Sequence, residues 1–303
     1  MPADGRPPVP SGVVVVDKAA GLTSHGVVGR VRRLLGTRKV GHAGTLDPMA
    51  TGVLVVGVER ATRLLGHLTL TDKTYEATIR LGVGTVTDDA EGDVVATPGA
   101  PELDTIRLEV ALDALRGPIL QVPTAVSAIK VDGVRSYARV RAGEEVALVP
   151  RPVTVHRFDV LARRDAEAEG VAVIDLDVVV DCSSGTYIRA LARDLGSALG
   201  SAGHLTALRR TRVGPFTLDE AVVLPEPGHD VTPPRVEPIA QVAARSFPVV
   251  VLDADRSADV RVGRRLPQLA LEGLTALVDQ DGTFLALYRP GPDGARPEAV
   301  FVG

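Results

Sequence analysis

At 303 residues the chain is long enough for two domains and should bury roughly 75% of its unfolded surface. Hydrophobic content of 45% with 24% charged residues is ordinary for a soluble globular protein, and no stretch approaches the roughly 18 uninterrupted apolar residues of a membrane span. One cysteine, Cys182, excludes an intramolecular disulfide framework and a cysteine-clustered zinc site, and it fits a reducing cytoplasm. The net charge of −4 argues mildly against a nucleic-acid partner. Positive residues nevertheless cluster at Arg30, Arg32, Arg33, Arg38 and Lys39, at Arg135, Arg139, Arg141 and Arg151, and at Arg189, Arg193, Arg209, Arg210 and Arg212. Such runs are usually solvated faces, so charge alone does not decide the matter.

In chain order, residues 1–11 lack the basic start and apolar core of a signal peptide and read as a short disordered lead. Gly12 to Asp17 reads as a strand. Ser24 is placed to cap a helix in which Val27, Val28, Val31, Leu34 and Leu35 share a face, with arginines off that face and Gly36 as the stop. Gly52 to Val58 is a continuous apolar run, hence a strand buried on both faces. Thr74 to Leu81 alternates, with Tyr75, Ala77, Ile79 and Leu81 on one side. A helix is expected over Asp104 to Arg116. Residues 123–152, with five prolines and glycines between arginines, read as a basic excursion outside the core. Val171 to Val180 is a strand, Tyr187 to Leu199 a helix, and His204 to Val213 another strand. The five prolines of residues 225–238 suggest a linker. Beyond Phe247, short strands are expected at Val249–Leu252, Leu274–Val278, Phe284–Tyr288 and Ala299–Val302, which make a small β-rich second domain.

The most informative stretch is Gly41 to Gly57, GHAGTLDPMATGVLVVG, where one carboxylate, Asp47, stands among glycines and small residues ahead of the buried strand. Pro48 holds Asp47 in an extended or turn backbone. A lone Asp-Pro is usually only a turn starter, so the weight rests on the segment as a whole. There is no internal repeat, no GxxxxGK[ST], no GxGxxG in a βαβ setting and no HExxH, and nothing calls for a cofactor or a metal. Strands and helices without a strict βαβ rhythm indicate an α+β catalytic domain.

That segment resembles the signature of the bacterial tRNA pseudouridine(55) synthases, the TruB type. The resemblance extends in order through Gly12-Val13-Val14-Val15-Val16-Asp17-Lys18 with Gly21, Lys73-Thr74-Tyr75, Ser127-Ala128-Ile129-Lys130 and Ser184-Gly185-Thr186-Tyr187-Ile188-Arg189. It implies the pseudouridine synthase fold, a mixed sheet with a central cleft over residues 12–246, followed by a small PUA-like domain over 247–303. It also implies isomerisation of uridine 55 in the T loop of tRNA, in the cytoplasm, by a monomer with no obligatory protein partner, no membrane and no cofactor.

By the same resemblance Asp47 is the essential acid, as nucleophile or as base at C2′. Tyr75 is the platform on which the extracted base stacks, Tyr187 a second active-site tyrosine, and Arg189 the partner that holds Asp47 ionised by a bidentate pair. His42 is placed against the flipped RNA, and Lys18 and Lys130 either touch RNA or brace the site. Arg139 and Arg141 are expected at phosphates. In Leu81 to Gly92 the chain departs from the family by carrying Val83, Gly84 and Val86, with Asp89 in the matching acidic position. No second carboxylate is visibly paired with Asp47, unlike a two-acid glycosidase. The competing reading is a tRNA-binding or folding chaperone on the same scaffold. A hydrolase with an aspartate nucleophile is a third.

Overall fold

The computed structural model describes residues 8–124, 149–226 and 232–302, with the backbone of 130–131 and 134–135. Chain order runs β1 (Gly12–Lys18), α1 (Ser24–Leu35), β2 (Val40–Ala43), β3 (Thr51–Val58), α2 (Leu65–Leu68), β4 (Lys73–Leu81), β5 (Gly84–Thr85), β6 (Val94–Ala96), α3 (Thr105–Asp113), β7 (Gly117–Gln121), β8 (Lys130–Val131), β9 (Val134–Arg135), β10 (Arg151–Ala168) and β11 (Val171–Cys182). It continues through α4 (Ile188–Ala198), β12 (Gly203–Val213), β13 (Phe216–Thr217), β14 (Glu237–Pro238), α5 (Ile239–Ser246), β15 (Val249–Val251), α6 (Ala254–Arg261), β16 (Thr275–Val278), β17 (Phe284–Gly291) and β18 (Gly294–Val300).

Among the described residues ten strands form one mixed sheet in the order β14-β1-β3-β12-β4-β11-β10-β7, with β2 on β3 and β13 on β12. Every pairing is antiparallel except the join between β3 and β12, which is parallel and spans only Arg209 with Thr51 and Arg210 with Gly52. The sheet therefore has two halves held at a narrow seam. In the first half β1 and β3 are covered on both faces, which is why they read as unbroken apolar runs. Val14, Val16, Leu54 and Val56 pack under Val27, Val28 and Val31 of α1. Val13, Val15, Val53 and Val55 face the other way, against α2, α5 and the C-terminal sheet. In the second half the inward face of β4 and β11 packs on Leu191 and Leu195 of α4 and Leu112 of α3. The outward face there is polar, laced by Arg80 with Asp175 at 2.8 Å and Arg164 with Asp177.

The α+β class and the small C-terminal β domain are as expected, and several local readings change. Thr23, not Ser24, caps α1 by accepting from the Gly26 amide at 3.0 Å, while Gly36 closes the helix at φ 68. The excursion of 123–152 does not run to its expected end, because Arg151 and Pro152 already belong to β10 and pair with Gln121 and Leu120. β10 itself was not legible: its far half is exposed and charged, and only the register with β11 holds it extended. The linker over 225–238 ends in β14, which pairs with Gly12 and Val13. Two helices, α5 and α6, accompany the C-terminal strands, and the last strand is Gly294–Val300 rather than Ala299–Val302. The C-terminal sheet, β15-β16-β17-β18, has its own core around Val260, Leu277, Leu285 and Tyr288. Ala276, Val278, Phe284, Leu287 and Phe301 of this unit share a cluster with Val13, Val15 and Leu68 of the main sheet, so the two units bury one another. Among the described residues no helix is long and apolar enough to cross a membrane.

Candidate active site

Asp47 lies in the connection between β2 and β3, directly beside the seam. Its neighbours are fastened by side chains from elsewhere. Ser24, at the buried start of α1, donates to the Leu46 carbonyl at 3.1 Å and accepts from the Leu46 amide at 2.9 Å. Lys18, 1% exposed, spends its ammonium on the carbonyls of Ala19 (3.1 Å), Leu22 (2.7 Å) and Pro48 (3.1 Å). Its three donors are thus all taken by carbonyls behind the turn. The cost of burying that charge pulls its pKa down to about 8, against the pull of Asp47.

Arg189, on the first turn of α4, meets Asp47 with two nitrogens, Nε to Oδ2 at 3.1 Å and Nη2 to Oδ1 at 3.3 Å. Its third nitrogen, Nη1, donates to Asp89 Oδ2 at 3.2 Å and to the Thr87 carbonyl at 3.0 Å. Asp89 is 2% exposed, and its other oxygen accepts from the Thr87 hydroxyl and the Glu91 amide. A second carboxylate is therefore coupled to Asp47 through one guanidinium, which the sequence did not make visible. Asp89 stands behind the arginine and not at the cavity wall. Burial raises the Asp47 carboxyl above its ordinary value; Arg189 opposes this, Asp89 adds to it, and Lys18 and Arg210 oppose it further. The arginine orients the acid, but it does not by itself keep its pKa low.

The cavity beside Asp47 holds about 270 Å³, at the small end of ligand sites and suited to one nucleoside rather than to a helix. Tyr75, 7% exposed on the inward face of β4, lies in its wall with Tyr187, Arg189, Lys73, Leu208 and Arg210. Tyr187 is the residue ahead of α4, and its main chain is pinned on both sides by Gln121, whose amide donates to Tyr187 O at 3.0 Å and whose carbonyl accepts from Tyr187 N at 2.8 Å. His42, half-buried on β2, is not in the cavity wall; it meets the exposed His25 edge-on with ring centroids 5.4 Å apart. Burial, then His25 and Arg210, lower its pKa. The side chain of Lys130 and the whole of Arg139 and Arg141 lie outside the described residues.

Two buried cations of the wall were not anticipated as site residues. Lys73 donates to the carbonyls of Thr69 (2.9 Å) and Thr71 (2.7 Å), and its pKa falls to about 8 through burial and the nearby Arg210. Arg210, 1% exposed, is among the largest fully buried side chains of the chain. Strand alternation would have found both, since Lys73 shares a face with Tyr75, and Arg210 shares one with Leu208.

A carboxylate gripped by a buried arginine that also holds a second acid behind it, and opening on a small cavity at the seam of a mixed sheet, is an arrangement suited to an enzyme. Comparison with known proteins agrees. Residues 32–188 match the model of the TruB family pseudouridylate synthase N-terminal domain, residues 189–226 the tRNA pseudouridylate synthase B C-terminal domain, and residues 247–302 the C-terminal domain of tRNA pseudouridine synthase II. Proteins named tRNA pseudouridine synthase B are 62% identical over 92% of this chain in Cutibacterium acnes, covering 93% of that protein, and 54% identical over 96% in Thermobifida fusca, covering 99% of it. Among solved structures, that of a Cbf5-Nop10-Gar1 complex is similar with a TM-score of 0.70 at 26% identity, over 100% of this chain and 89% of that one. The chain belongs to the TruB family of pseudouridylate synthases.

Proposed function

We propose that the protein isomerises uridine 55 in the T loop of tRNA to pseudouridine, and that Asp47 is the acting carboxylate. The observation that carries this is Asp47 itself, aimed by two nitrogens of Arg189 into a cavity walled by Tyr75 and Tyr187. The reaction breaks the C1′–N1 bond and forms C1′–C5 within one nucleotide, and the proton leaving C5 is balanced by one gained at N1. Neither redox chemistry nor a group donor is required. Asp47 acts as nucleophile or as base at C2′, and its raised pKa makes the ionised carboxylate more basic, which suits either role. Tyr75 gives the detached base a face to stack on, and Tyr187, with its main chain clamped by Gln121, stands ready for proton handling at C5.

A cavity of this size admits the base only after it has left the stack of the T loop, so the reading includes base flipping. Residues 12–246 form the catalytic unit and 247–303 the small PUA-like unit, acting as a cytoplasmic monomer without an obligatory protein partner. A protein that only binds or refolds tRNA has no use for a carboxylate aimed into a cavity by a buried arginine. The test is the uridine at position 55 in tRNA from cells lacking the protein, read by carbodiimide mapping or mass spectrometry. Loss of pseudouridine there, restored by the wild-type chain and not by Asp47→Asn, is expected; an unchanged site would end the reading.

A further inference from the structure

We propose that Arg210 is the positioning residue that closes the loop bearing Asp47, holding both of its ends with one side chain and one stretch of backbone. The side chain enters from β12 and spends its guanidinium on main-chain oxygens. Nη2 donates to Gly44 O at 3.1 Å and Nη1 to Thr45 O at 3.3 Å, at the start of the loop, while Nε donates to Val53 O at 2.8 Å, just past its end. The backbone of Arg210 pairs with Gly52 across the parallel seam. That approach is so close that a Cβ on Gly52 would collide with the Arg210 carbonyl, and Gly52 has φ +101, which a side chain would oppose. Arg210 thereby ties residue 44 to residue 53 and fixes the path between them, on which Asp47 stands.

The chemistry of the group supports a role beyond packing. Among the described residues no carboxylate is ion-paired with Arg210, although it is 1% exposed. A buried guanidinium satisfied only by carbonyls is costly to keep, and an apolar side chain would fill the space at lower cost. The backbone of Arg210 also lies opposite Tyr75 in the register of β12 on β4, and both side chains line the cavity, so the acid loop and the base platform meet at one residue. The inference rests on the reading of Asp47 as the acting group, but its geometry does not.

The test uses the full chain with Arg210→Lys and Arg210→Met. Hydrogen exchange of the peptide covering residues 44–53, which needs no RNA, should speed up in both variants while peptides of the C-terminal sheet keep their protection. In single turnover on tRNA, Arg210→Met should lose roughly 100-fold in rate, the scale of a misplaced reacting group, with tRNA affinity within about threefold of wild type. Its acid limb should move to higher pH, because one of the charges that oppose the burial of Asp47 is gone. Arg210→Lys keeps the charge and loses the fork, so it should keep the limb in place and lose part of the rate. Unchanged exchange at residues 44–53 in a folded variant overturns the proposal, as does a wild-type rate in Arg210→Lys; should Arg210→Met fail to fold, the lysine variant decides. A wild-type chain that makes no pseudouridine would instead sink the functional reading, and exchange would still decide this one.

Discussion

Arg189 divides its guanidinium between two carboxylates, Nε and Nη2 on Asp47 at 3.1 and 3.3 Å and Nη1 on Asp89 at 3.2 Å. The arrangement aims Asp47 without neutralising it completely, because the second acid draws on the same cation. Asp89→Asn should therefore act through Asp47. The rate should fall while tRNA affinity holds, and the acid limb should move to lower pH, since the negative charge that helps raise Asp47 is removed. A limb that moves upward in a single-turnover pH profile would mean that the arginine reorients.

Replacing Asp47 by Asn or Ala is expected to abolish pseudouridine formation, a loss of at least roughly 8 kcal/mol of barrier lowering, while tRNA binding stays within about tenfold, or about 1.4 kcal/mol. Stability should respond in the opposite sense. A carboxyl raised on folding takes up its proton more readily in the native state, so stability falls as pH climbs from the ordinary aspartate range through the raised value. Asp47→Asn should thus melt no lower than wild type at neutral pH, with any gain closing as pH falls toward 4. Thermal melts across that range check it.

Tyr75→Leu should slow turnover strongly and Tyr75→Phe much less, because a stacked base is worth about 1–3 kcal/mol and phenylalanine keeps the ring. Equal defects in the two variants, in single-turnover rates, would shift the weight from the ring to the hydroxyl.

Truncation after residue 247 looks harmless by sequence, since every proposed catalytic group precedes Arg212. The shared cluster joining Val13, Val15 and Leu68 to Ala276, Phe284 and Phe301 changes the expectation. Removing residues 248–303 should bare that apolar face and yield aggregating protein, detectable by light scattering and size exclusion. A monomeric, fully folded truncation would contradict it.

For an acidic chain, tRNA affinity should still be salt-dependent, with log affinity falling against log salt by roughly 0.7 to 0.9 per phosphate contact. Replacing Arg139 and Arg141 with alanine should flatten the slope and weaken different tRNAs alike. A salt-independent affinity would remove the electrostatic account of residues 123–152.

Much of the architecture follows from local pattern. The valine runs of β1 and β3 are continuous because both faces are covered, the alternation of Thr74 to Leu81 marks one covered face, and Gly36 ends α1 because it alone accepts φ 68 at no cost. The Asp-Pro turn among glycines likewise singled out Asp47. The exposed half of β10 carries no such pattern, and Ser24 read as a cap because its hydroxyl is equally suited to the Leu46 backbone 22 residues away.

What the chain could not determine alone is which charges meet. Arg189 reaches Asp47 across 142 positions, and Arg210 reaches Gly44 across 166. The register of β12 on β4 that places Arg210 opposite Tyr75 depends on irregularities between Leu205 and Ala207 and between Arg210 and Arg212. Periodicity states which side of a strand a residue faces and leaves open the slip between strands. That slip is settled only when the whole sheet packs, because one residue of shift would turn Arg210 away from the acid loop and bury its neighbour in its place.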